Sequence, residues 1–273
     1  MKIVYVGGGN MAAALIGGWL NQGGEAADIH VIEPDAARRE ELARMHAVAV
    51  QPQPDAGVAG ADVFVLAVKP QQMREACAAL RPWVGASTVL SVAAGIRSDA
   101  MIRWLGTERI VRAMPNTPAL IGQGITALVA LPAVPASRRA QAEAILKSAG
   151  PIVWLDREEL LDAVTALSGS GPGYVFLFIE AMIRAGCELG LDPAQARQLA
   201  VQTVIGAGQL ASQSNEPVAL LRERVTSKGG TTAAGLNAMA QDGVADAIVR
   251  AVLAAQRRAV ELGDEFGANR APD

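Results

Sequence analysis

A run of twelve residues in the last quarter of the chain has the composition of a binding turn. It reads Val-Thr-Ser-Lys-Gly-Gly-Thr-Thr-Ala-Ala-Gly-Leu over residues 225–236, with three glycines and four hydroxyl side chains. The alanine-rich run that follows predicts a new helix, and the free N–H groups at a helix N-terminus favour an anion. From this run alone a second interpretation stays open, namely a connection between two helices that is capped by Thr and Gly.

A glycine-rich turn near the N-terminus has the spacing of a dinucleotide site. The pattern Gly-x-Gly-x-x-Ala occupies residues 7–12, directly between a predicted strand and a predicted helix. The first glycine permits a tight turn, the second lets the backbone approach a pyrophosphate, and the alanine keeps helix and strand close. A glycine turn without a ligand is the less favoured alternative. The predicted cofactor contacts of this turn are Gly7, Gly8, Gly9, Asn10, Met11 and Ala12.

Glu33 bears on the choice of cofactor. It ends the second predicted strand, 24 residues after Gly9, where an acid normally accepts hydrogen bonds from the adenosine ribose of NAD. A 2′-phosphate would meet like-charge repulsion there, although Arg38 and Arg39 are near enough in sequence to reach such a phosphate. The residue favours NADH and leaves NADPH open. The alternative is a solvated glutamate before a proline.

Further turns follow the strands whose carboxyl ends should meet a cofactor. Pro70 prevents one strand from running directly into a helix, which leaves backbone polar groups free for a ligand. Lys69 contacts a phosphate or points into solvent, and Asn116 faces the nicotinamide or caps its turn. Both pairs of alternatives stay open. The predicted cofactor contacts here are Ala67, Val68, Lys69, Pro70, Ala93 and Asn116.

The chain has no obvious proton donor for a carbonyl substrate. Hydride transfer to a carbonyl usually needs His, Lys or Tyr near the oxygen, and neither the two histidines nor the two tyrosines have suitable surroundings. No His, Cys and Asp cluster has metal-ligand spacing, so no metal site is predicted. A cyclic iminium already carries its charge on nitrogen and accepts hydride without prior protonation. Such a substrate needs a cofactor, a carboxylate cradle and one hydroxyl near the nitrogen.

The elements that position these residues form two blocks. Strands alternate with helices in the first block, which predicts an α/β Rossmann-type doubly wound sheet. The second block predicts only helices, apolar around enough of their circumference to be buried against a partner chain. We therefore expect a dinucleotide-binding domain at 1–156 and an all-α substrate and dimerisation domain at 157–273, with a frayed tail at 269–273. The expected strands span residues 2–6, 29–32, 63–68, 88–92, 109–113, 125–130 and 152–155.

Composition narrows the class of protein. A hydrophobic fraction of 51% indicates a compact globular fold, and a net charge of −3 with scattered basic pairs argues against a nucleic-acid partner. Cys77 and Cys187 lie far apart in helix-like runs, as expected in a reducing cytosol. No run reaches the roughly 18 consecutive apolar residues of a membrane span. We expect a cytoplasmic protein without a membrane segment.

Six motifs follow one another along nearly the whole chain. They are Gly-Gly-Gly-Asn-Met-Ala (7–12), Ala-Val-Lys-Pro (67–70), Val-Ala-Ala-Gly (92–95), Met-Pro-Asn-Thr-Pro (114–118), Leu-Ser-Gly-Ser-Gly-Pro (167–172) and Val-Thr-Ser-Lys-Gly-Gly-Thr-Thr (225–232). In this order they resemble the pyrroline-5-carboxylate reductase family. The resemblance implies reduction of 1-pyrroline-5-carboxylate to L-proline with NADPH or NADH, the last step of proline synthesis. It also implies a Rossmann domain, a helical domain that interleaves with a second subunit, and a homodimer that often assembles into a decamer, a pentamer of dimers.

The same resemblance implies roles for individual residues. The substrate carboxylate is expected among Ser227, Gly230 and Thr231, with the hydroxyl of Thr232, the catalytic residue, close to the ring nitrogen. Lys228 stands where many relatives have Pro and leaves the anion cradle intact.

Two further departures from the family pattern lie elsewhere in the chain. Gly173 replaces a common Ala and loosens the start of a helix. Glu33 is the second departure, because an acid at this position favours NADH whereas many relatives prefer NADPH.

Two other functions compete with this one. A β-hydroxyacid dehydrogenase would share the two-domain plan but should carry a catalytic Lys on a helix with a nearby Asn, a pattern that neither Lys147 nor Lys228 shows. A non-catalytic dinucleotide sensor would keep the first turn without a substrate cradle. The intact motif at 225–232 argues against such a sensor.

Overall fold

The structure, a computed structural model, describes residues 1–267. Its first part holds an eight-stranded sheet in the order β3-β2-β1-β4-β5-β6-β7-β8, which confirms the predicted Rossmann-type fold. The tail expected at 269–273 lies outside the described residues. The strands are β1 Ile3–Val6, β2 Ile29–Ile32, β3 Ala49–Gln51, β4 Val63–Leu66, β5 Thr88–Ser91, β6 Ile110–Met114, β7 Thr126–Ala130 and β8 Ile152–Trp154.

The helices cover both faces of this sheet and bury two apolar clusters. Side chains of β1 alternate between them, with Ile3 and Tyr5 in one cluster and Val4 and Val6 in the other. All four residues of β4 are buried, as an unbroken apolar strand in a parallel sheet predicts. The helices of this part are α1 Asn10–Asn21, α2 Ala36–His46, α3 Met73–Val84, α4 Ser98–Leu105, α5 Ala136–Lys147 and α6 Leu160–Val164.

One strand reverses direction. β7 runs antiparallel to β6, whereas the other pairings in the sheet are parallel. The segment between β6 and β7 carries only a short 3-10 helix, Thr117–Ile121. A connection of this length is too short for the crossover that two parallel strands require. The chain therefore turns back, and α5 then makes the crossover to β8.

Sequence patterns predicted the strands except β3. That strand reads Ala-Val-Gln, is partly exposed and pairs only with β2 at the edge of the sheet. Three residues without an apolar run provide no periodic signal. β3 nevertheless matters for the site, because its Gln51 carbonyl accepts the N–H of Glu33 at 2.9 Å.

The last part of the described chain is helical, as predicted. A π-helical turn, Thr165–Gly169, joins α6 to the next helix, and an Asp192–Gln195 capping box begins another. The predicted run 231–241 forms one helix with those bounds. The helices are α7 Gly171–Glu188, α8 Pro193–Gln213, α9 Val218–Arg224, α10 Thr231–Gln241 and α11 Val244–Gly267.

The chain divides into two compact units that differ from a simple N- and C-terminal split. Unit 1 comprises residues 1–170 together with the chain from Ala255 onward, and unit 2 comprises residues 171–254. The end of α11 belongs to unit 1 because Arg97 pairs with Asp264 at 2.9 Å. The domain boundary predicted at 156/157 lies just after the last strand of the sheet, whereas the compact units divide after Ser170. That boundary stays a prediction.

Unit 2 exposes large apolar side chains in the single chain. Phe176, Leu177 and Phe178 of α7 are 60%, 67% and 47% exposed. Among the described residues, the run Leu160–Glu188 is long and apolar enough to cross a membrane by length and composition. A single run of this kind is weak evidence, because packed helices of soluble proteins pass the same test. The absence of a membrane segment therefore stays a prediction.

Candidate functional site

The glycine turn of residues 7–12 lies where β1 ends, is hydrogen-bonded to β2 and lies close to the turn that follows β4. The N–H of Gly7 donates to the carbonyl of Ile32 at 2.8 Å. Gly7 has φ +94°, and a Cβ there would lie 2.8 Å from both the carbonyl oxygen of Ala67 and the Cγ1 of Val68. Only glycine fits this position. The contact brings two of the predicted cofactor turns together.

The N–H groups at the start of helix α1 precede its first helical bond, whereas those of Gly7 and Gly8 are bonded to Ile32 and Glu33. Helix α1 begins at Asn10, and its N-cap residue Gly9 makes no side-chain capping hydrogen bond. The N–H of Ala13 makes the first helical bond, to the carbonyl of Gly9 at 3.0 Å, so the preceding N–H groups have no helical partner. A Cβ on Gly9 would meet no atom within 4 Å. Ala12 is fully buried in the apolar core, and the arrangement suits a pyrophosphate.

The Glu33 carboxylate lies against this turn. One oxygen, Oε2, accepts the N–H of Gly8 at 2.7 Å, and the other, Oε1, accepts the N–H of Asp35 at 2.9 Å. A Cβ on Gly8 would lie 2.5 Å from Leu42 Cδ1 and 3.3 Å from Glu33 Cβ. Glu33 is therefore a half-buried part of the turn, and the alternative of a freely solvated glutamate does not describe it.

The two arginines of α2 are bonded within the same region. Nε of Arg38 donates to the carbonyl of Gly8 at 2.6 Å, and its Nη1 pairs with Glu41. Nη1 of Arg39 donates to the carbonyls of Glu33 at 2.8 Å and Pro34 at 2.7 Å. Both guanidinium groups lie near the predicted ribose position, and each already has protein partners.

The turn at 67–70 is tied to β1. The N–H of Ala67 donates to the carbonyl of Val6 at 2.8 Å, and the carbonyl of Lys69 accepts the N–H of Gln72 at 2.9 Å. Pro70 begins a 3-10 helix there, as expected of a proline that interrupts the strand. The Lys69 residue is exposed, and its contact with a phosphate stays a prediction.

Ala93 and Asn116 have different surroundings. Ala93 is buried, and its N–H lies 3.4 Å from Ser91 Oγ. Asn116 Oδ1 accepts the N–H of Ile125 at 2.9 Å, and its Nδ2 donates to the carbonyl of Ser168 in the π-helical turn at 3.1 Å. The Asn116 amide thus joins two of the sequence motifs. Its nicotinamide contact stays a prediction.

The turn at 225–232 lies in unit 2 and is built around two glycines. Gly229 has φ +71°, a conformation that favours glycine. The N–H of Gly230 donates to the carbonyl of Ser227 at 3.0 Å. A Cβ on Gly230 would lie 2.3 Å from Ser227 Oγ, so the absence of a side chain there makes room for the Ser227 hydroxyl.

Helix α10 begins directly after these glycines and has no side-chain cap. Its N-cap is Gly230, and the first helical bond runs from the N–H of Ala234 to the carbonyl of Gly230 at 3.1 Å. The N–H groups of Thr231 and Thr232 precede that bond, so they have no helical partner. Three hydroxyl residues, Ser227, Thr231 and Thr232, are exposed in this turn. The turn can receive a carboxylate at its N–H groups.

Sequence reasoning missed a buried ion pair in unit 1. Arg112 lies in β6 with its side chain 7% exposed, and its Nη1 is 2.6 Å from Glu158 Oε1. The same oxygen accepts the N–H of Ser98 at 2.7 Å and its hydroxyl at 2.9 Å. The signal was an arginine inside an apolar strand, a position that requires a partner. Nearby, burial raises the pKa of Asp162, with Arg97 and Arg112 opposing that effect.

No group of three or more His, Cys, Asp and Glu side chains within residues 1–267 is arranged to hold a metal ion. The two turns offer backbone N–H donors, hydroxyl groups and local charge.

Two family models match the chain. The model described as pyrroline-5-carboxylate reductase dimerisation matches residues 158–262. The model described as NADP oxidoreductase, coenzyme F420-dependent, matches residues 2–95. The first covers the helical part and the second covers the glycine turn, Glu33 and the turn at 67–70.

Relatives match over the full length. The pyrroline-5-carboxylate reductase of Pseudomonas aeruginosa is 44% identical over 97% of this chain and 98% of its own. A solved pyrroline-5-carboxylate reductase from Coxiella burnetii has a TM-score of 0.91 at 35% identity, covering 96% of this chain and 98% of its own. The Plasmodium falciparum pyrroline carboxylate reductase with NADP bound has a TM-score of 0.85 at 28% identity, with the same coverage.

Proposed function

The chain belongs to the pyrroline-5-carboxylate reductase family and reduces 1-pyrroline-5-carboxylate to L-proline with NAD(P)H, and we propose that its two glycine turns divide this task. The turn at 7–12 holds the cofactor, and the turn at 225–232 holds the substrate. The full-length likeness to relatives of this name carries the proposal. The two uncapped helix N-termini supply its chemistry.

The residues of unit 1 fit a dinucleotide. The N–H groups that precede the first bond of α1 receive the pyrophosphate, and the open side of Gly9 admits it. Glu33 accepts hydrogen bonds from the adenosine ribose. Ala67 to Pro70, Ala93 and Asn116 line the path toward the nicotinamide. When bound, the cofactor supplies the hydride.

The residues of unit 2 hold the substrate. The Ser227 hydroxyl and the N–H group of Thr231 receive the carboxylate, and Gly230 borders it because a side chain there would displace that hydroxyl. The Thr232 hydroxyl hydrogen-bonds at the ring nitrogen, which makes it the catalytic residue of this chain. The iminium nitrogen already carries its proton, so hydride addition to the ring carbon moves the C=N electron pair onto nitrogen and gives the amine. Positioning and electrostatics therefore supply most of the rate enhancement.

The protein is a homo-oligomer with a small-molecule substrate, as its dimerisation region indicates. We propose a homodimer that assembles further into a decamer, a pentamer of dimers, in the cytoplasm without nucleic-acid or membrane partners. The exposed apolar side chains of α7 support the dimer, because burial against a second copy removes them from water. Free thiols at Cys77 and Cys187 agree with a reducing compartment.

The direct test is oxidation of NADH or NADPH in the presence of racemic pyrroline-5-carboxylate, followed by detection of proline. We expect loss of reduced-nicotinamide absorbance in proportion to proline formed. Confirmed cofactor binding with no absorbance loss would support a dinucleotide sensor and reject the reductase.

A further inference from the structure

The adenosine end of the cofactor site is built to discriminate between the two cofactors. We propose that Glu33 is a preset selector that makes this chain bind NADH in preference to NADPH. This inference rests on the proposed function, because it assumes that the turn at 7–12 holds the dinucleotide.

The Glu33 carboxylate is fixed before any cofactor arrives. Its two oxygens accept the N–H groups of Gly8 at 2.7 Å and Asp35 at 2.9 Å. Each carboxylate oxygen accepts more than one hydrogen bond, so both oxygens retain capacity for ribose hydroxyls. The acid is oriented by the turn that receives the pyrophosphate, and a ribose with free 2′- and 3′-hydroxyls finds two acceptors in place.

Packing around Gly8 keeps the acid there. The Cβ and Cγ of Glu33 lie 3.3 Å from the position that a Cβ on Gly8 would take, and Leu42 Cδ1 crowds the same space at 2.5 Å. Glu33 itself is bonded through its N–H to Gln51 of β3 at 2.9 Å. Moving the carboxylate away from a phosphate would therefore break two hydrogen bonds to backbone N–H groups.

The positive charges nearby are already engaged. Arg38 donates to the carbonyl of Gly8 and pairs with Glu41, and Arg39 donates to two carbonyls. A 2′-phosphate would meet the Glu33 carboxylate directly, and an arginine would have to leave its partners to compensate. Like-charge repulsion between a carboxylate and a phosphate in contact corresponds to a preference of about tenfold or more.

The test compares dissociation constants of NADH and NADPH, measured by calorimetry on the intact wild-type protein and two variants. Glu33→Gln removes the charge and keeps the side-chain shape. Glu40→Gln is the matched control, because Glu40 lies seven residues further on in helix α2, is exposed and carries the same charge. We expect wild type and Glu40→Gln to bind NADH at least about tenfold more tightly than NADPH. In Glu33→Gln that ratio should fall by about tenfold, mainly through tighter NADPH binding.

An unchanged ratio in folded Glu33→Gln would overturn the selector. Tighter binding of NADPH than of NADH by wild type would also overturn it. Loss of that preference in Arg38→Met would assign 2′-phosphate recognition to the arginine. Failure of folded wild type to bind either cofactor would overturn the proposed function together with this inference. Equal binding of both cofactors would overturn the selector alone.

Discussion

The Thr232 hydroxyl is the side-chain group on which the proposed chemistry most depends. It lies in the first turn of α10 and is exposed in the single chain. Hydride addition to an iminium needs no strong acid, so we expect the hydroxyl to assist through a hydrogen bond. Its contribution should be moderate, in the range of one such interaction at a transition state.

Thr232→Val should lower kcat by about 10- to 100-fold while the dissociation constant of the cofactor stays unchanged. Steady-state kinetics and calorimetry measure the two quantities. Thr226→Val is the matched control, since the Thr226 hydroxyl donates to the carbonyl of Arg222 at 2.6 Å within the same motif. Unchanged kcat in Thr232→Val would remove Thr232 from the chemistry.

Gly230→Ala should raise KM for the substrate at least about tenfold, because the new Cβ displaces the Ser227 hydroxyl that lies 2.3 Å from its position. Kinetics at saturating cofactor measure the effect. Gly235→Ala is the control, since a Cβ there meets no atom within 4 Å. Equal KM values for the two variants would show that the close contact is irrelevant to substrate binding.

At the scale of single residues, the turns of both candidate sites were predictable from the sequence. Gly7 and Gly229 identify turns, because both have a positive φ that few other residues tolerate. The bonds of Asn116 were not predictable, because its partner Ser168 lies 52 residues away in a π-helical turn that no periodic pattern signals.

At the scale of elements, the Arg112–Glu158 pair joins β6, the start of α4 and the segment before α6. Glu158→Gln should lower the free energy of unfolding by about 1–3 kcal/mol, because it leaves a buried guanidinium without its counter-charge. Denaturant unfolding measures this change. Glu159→Gln is the neighbouring exposed control and should change stability by less than about 0.5 kcal/mol. Similar effects in both variants would argue against a specific role for the pair.

Asp62 links the starts of β1 and β4 to α5. A hydrogen bond from Arg138 at 2.9 Å and the N–H of Lys2 at 3.0 Å lower the pKa of its carboxyl, against an opposing effect of burial. A lowered folded-state pKa stabilises the fold above the unfolded pKa of about 4, and that stabilisation is lost as pH falls through the folded value.

Asp62→Asn should therefore lose thermal stability near neutral pH and show a smaller further loss on acidification than wild type. Melting temperatures at about pH 7 and about pH 3 test this expectation. Glu40→Gln, on an exposed surface, should follow the wild-type pH dependence. Identical acid dependence in Asp62→Asn and wild type would contradict the link.

Elements were predictable where their pattern was periodic and long. The direction of β7 was not, because it depends on what the chain does between Met114 and Thr126. Sequence shows the apolar strands, whereas the length of ordered connection decides whether the next strand runs parallel.

At the scale of the whole molecule, the apolar surface of unit 2 requires a partner. Leu177→Glu places a charge in that surface and should shift the oligomer toward monomer in analytical ultracentrifugation. Met45→Glu is the control, since Met45 is 57% exposed on α2 of unit 1. An unchanged sedimentation coefficient in Leu177→Glu would place the subunit interface elsewhere.

The sequence predicts burial of the helical part against a partner chain, because helices that are apolar over much of their circumference must be covered. The division of the chain into two compact units was less predictable from the sequence. It depends on Gly95, Arg97 and the end of α11, which contact one another only after folding.

The return of α11 to unit 1 has a consequence for dissecting the protein. The polypeptide passes from one unit to the other after Ser170 and back near Ala255. A single proteolytic cut after Ser170 would thus release neither unit as one continuous piece, because Phe266 covers Gly95 in unit 1. Isolating unit 2 requires two cuts. A circular permutant opened between residues 254 and 255 would begin with residues 255–267 and so keep unit 1 continuous.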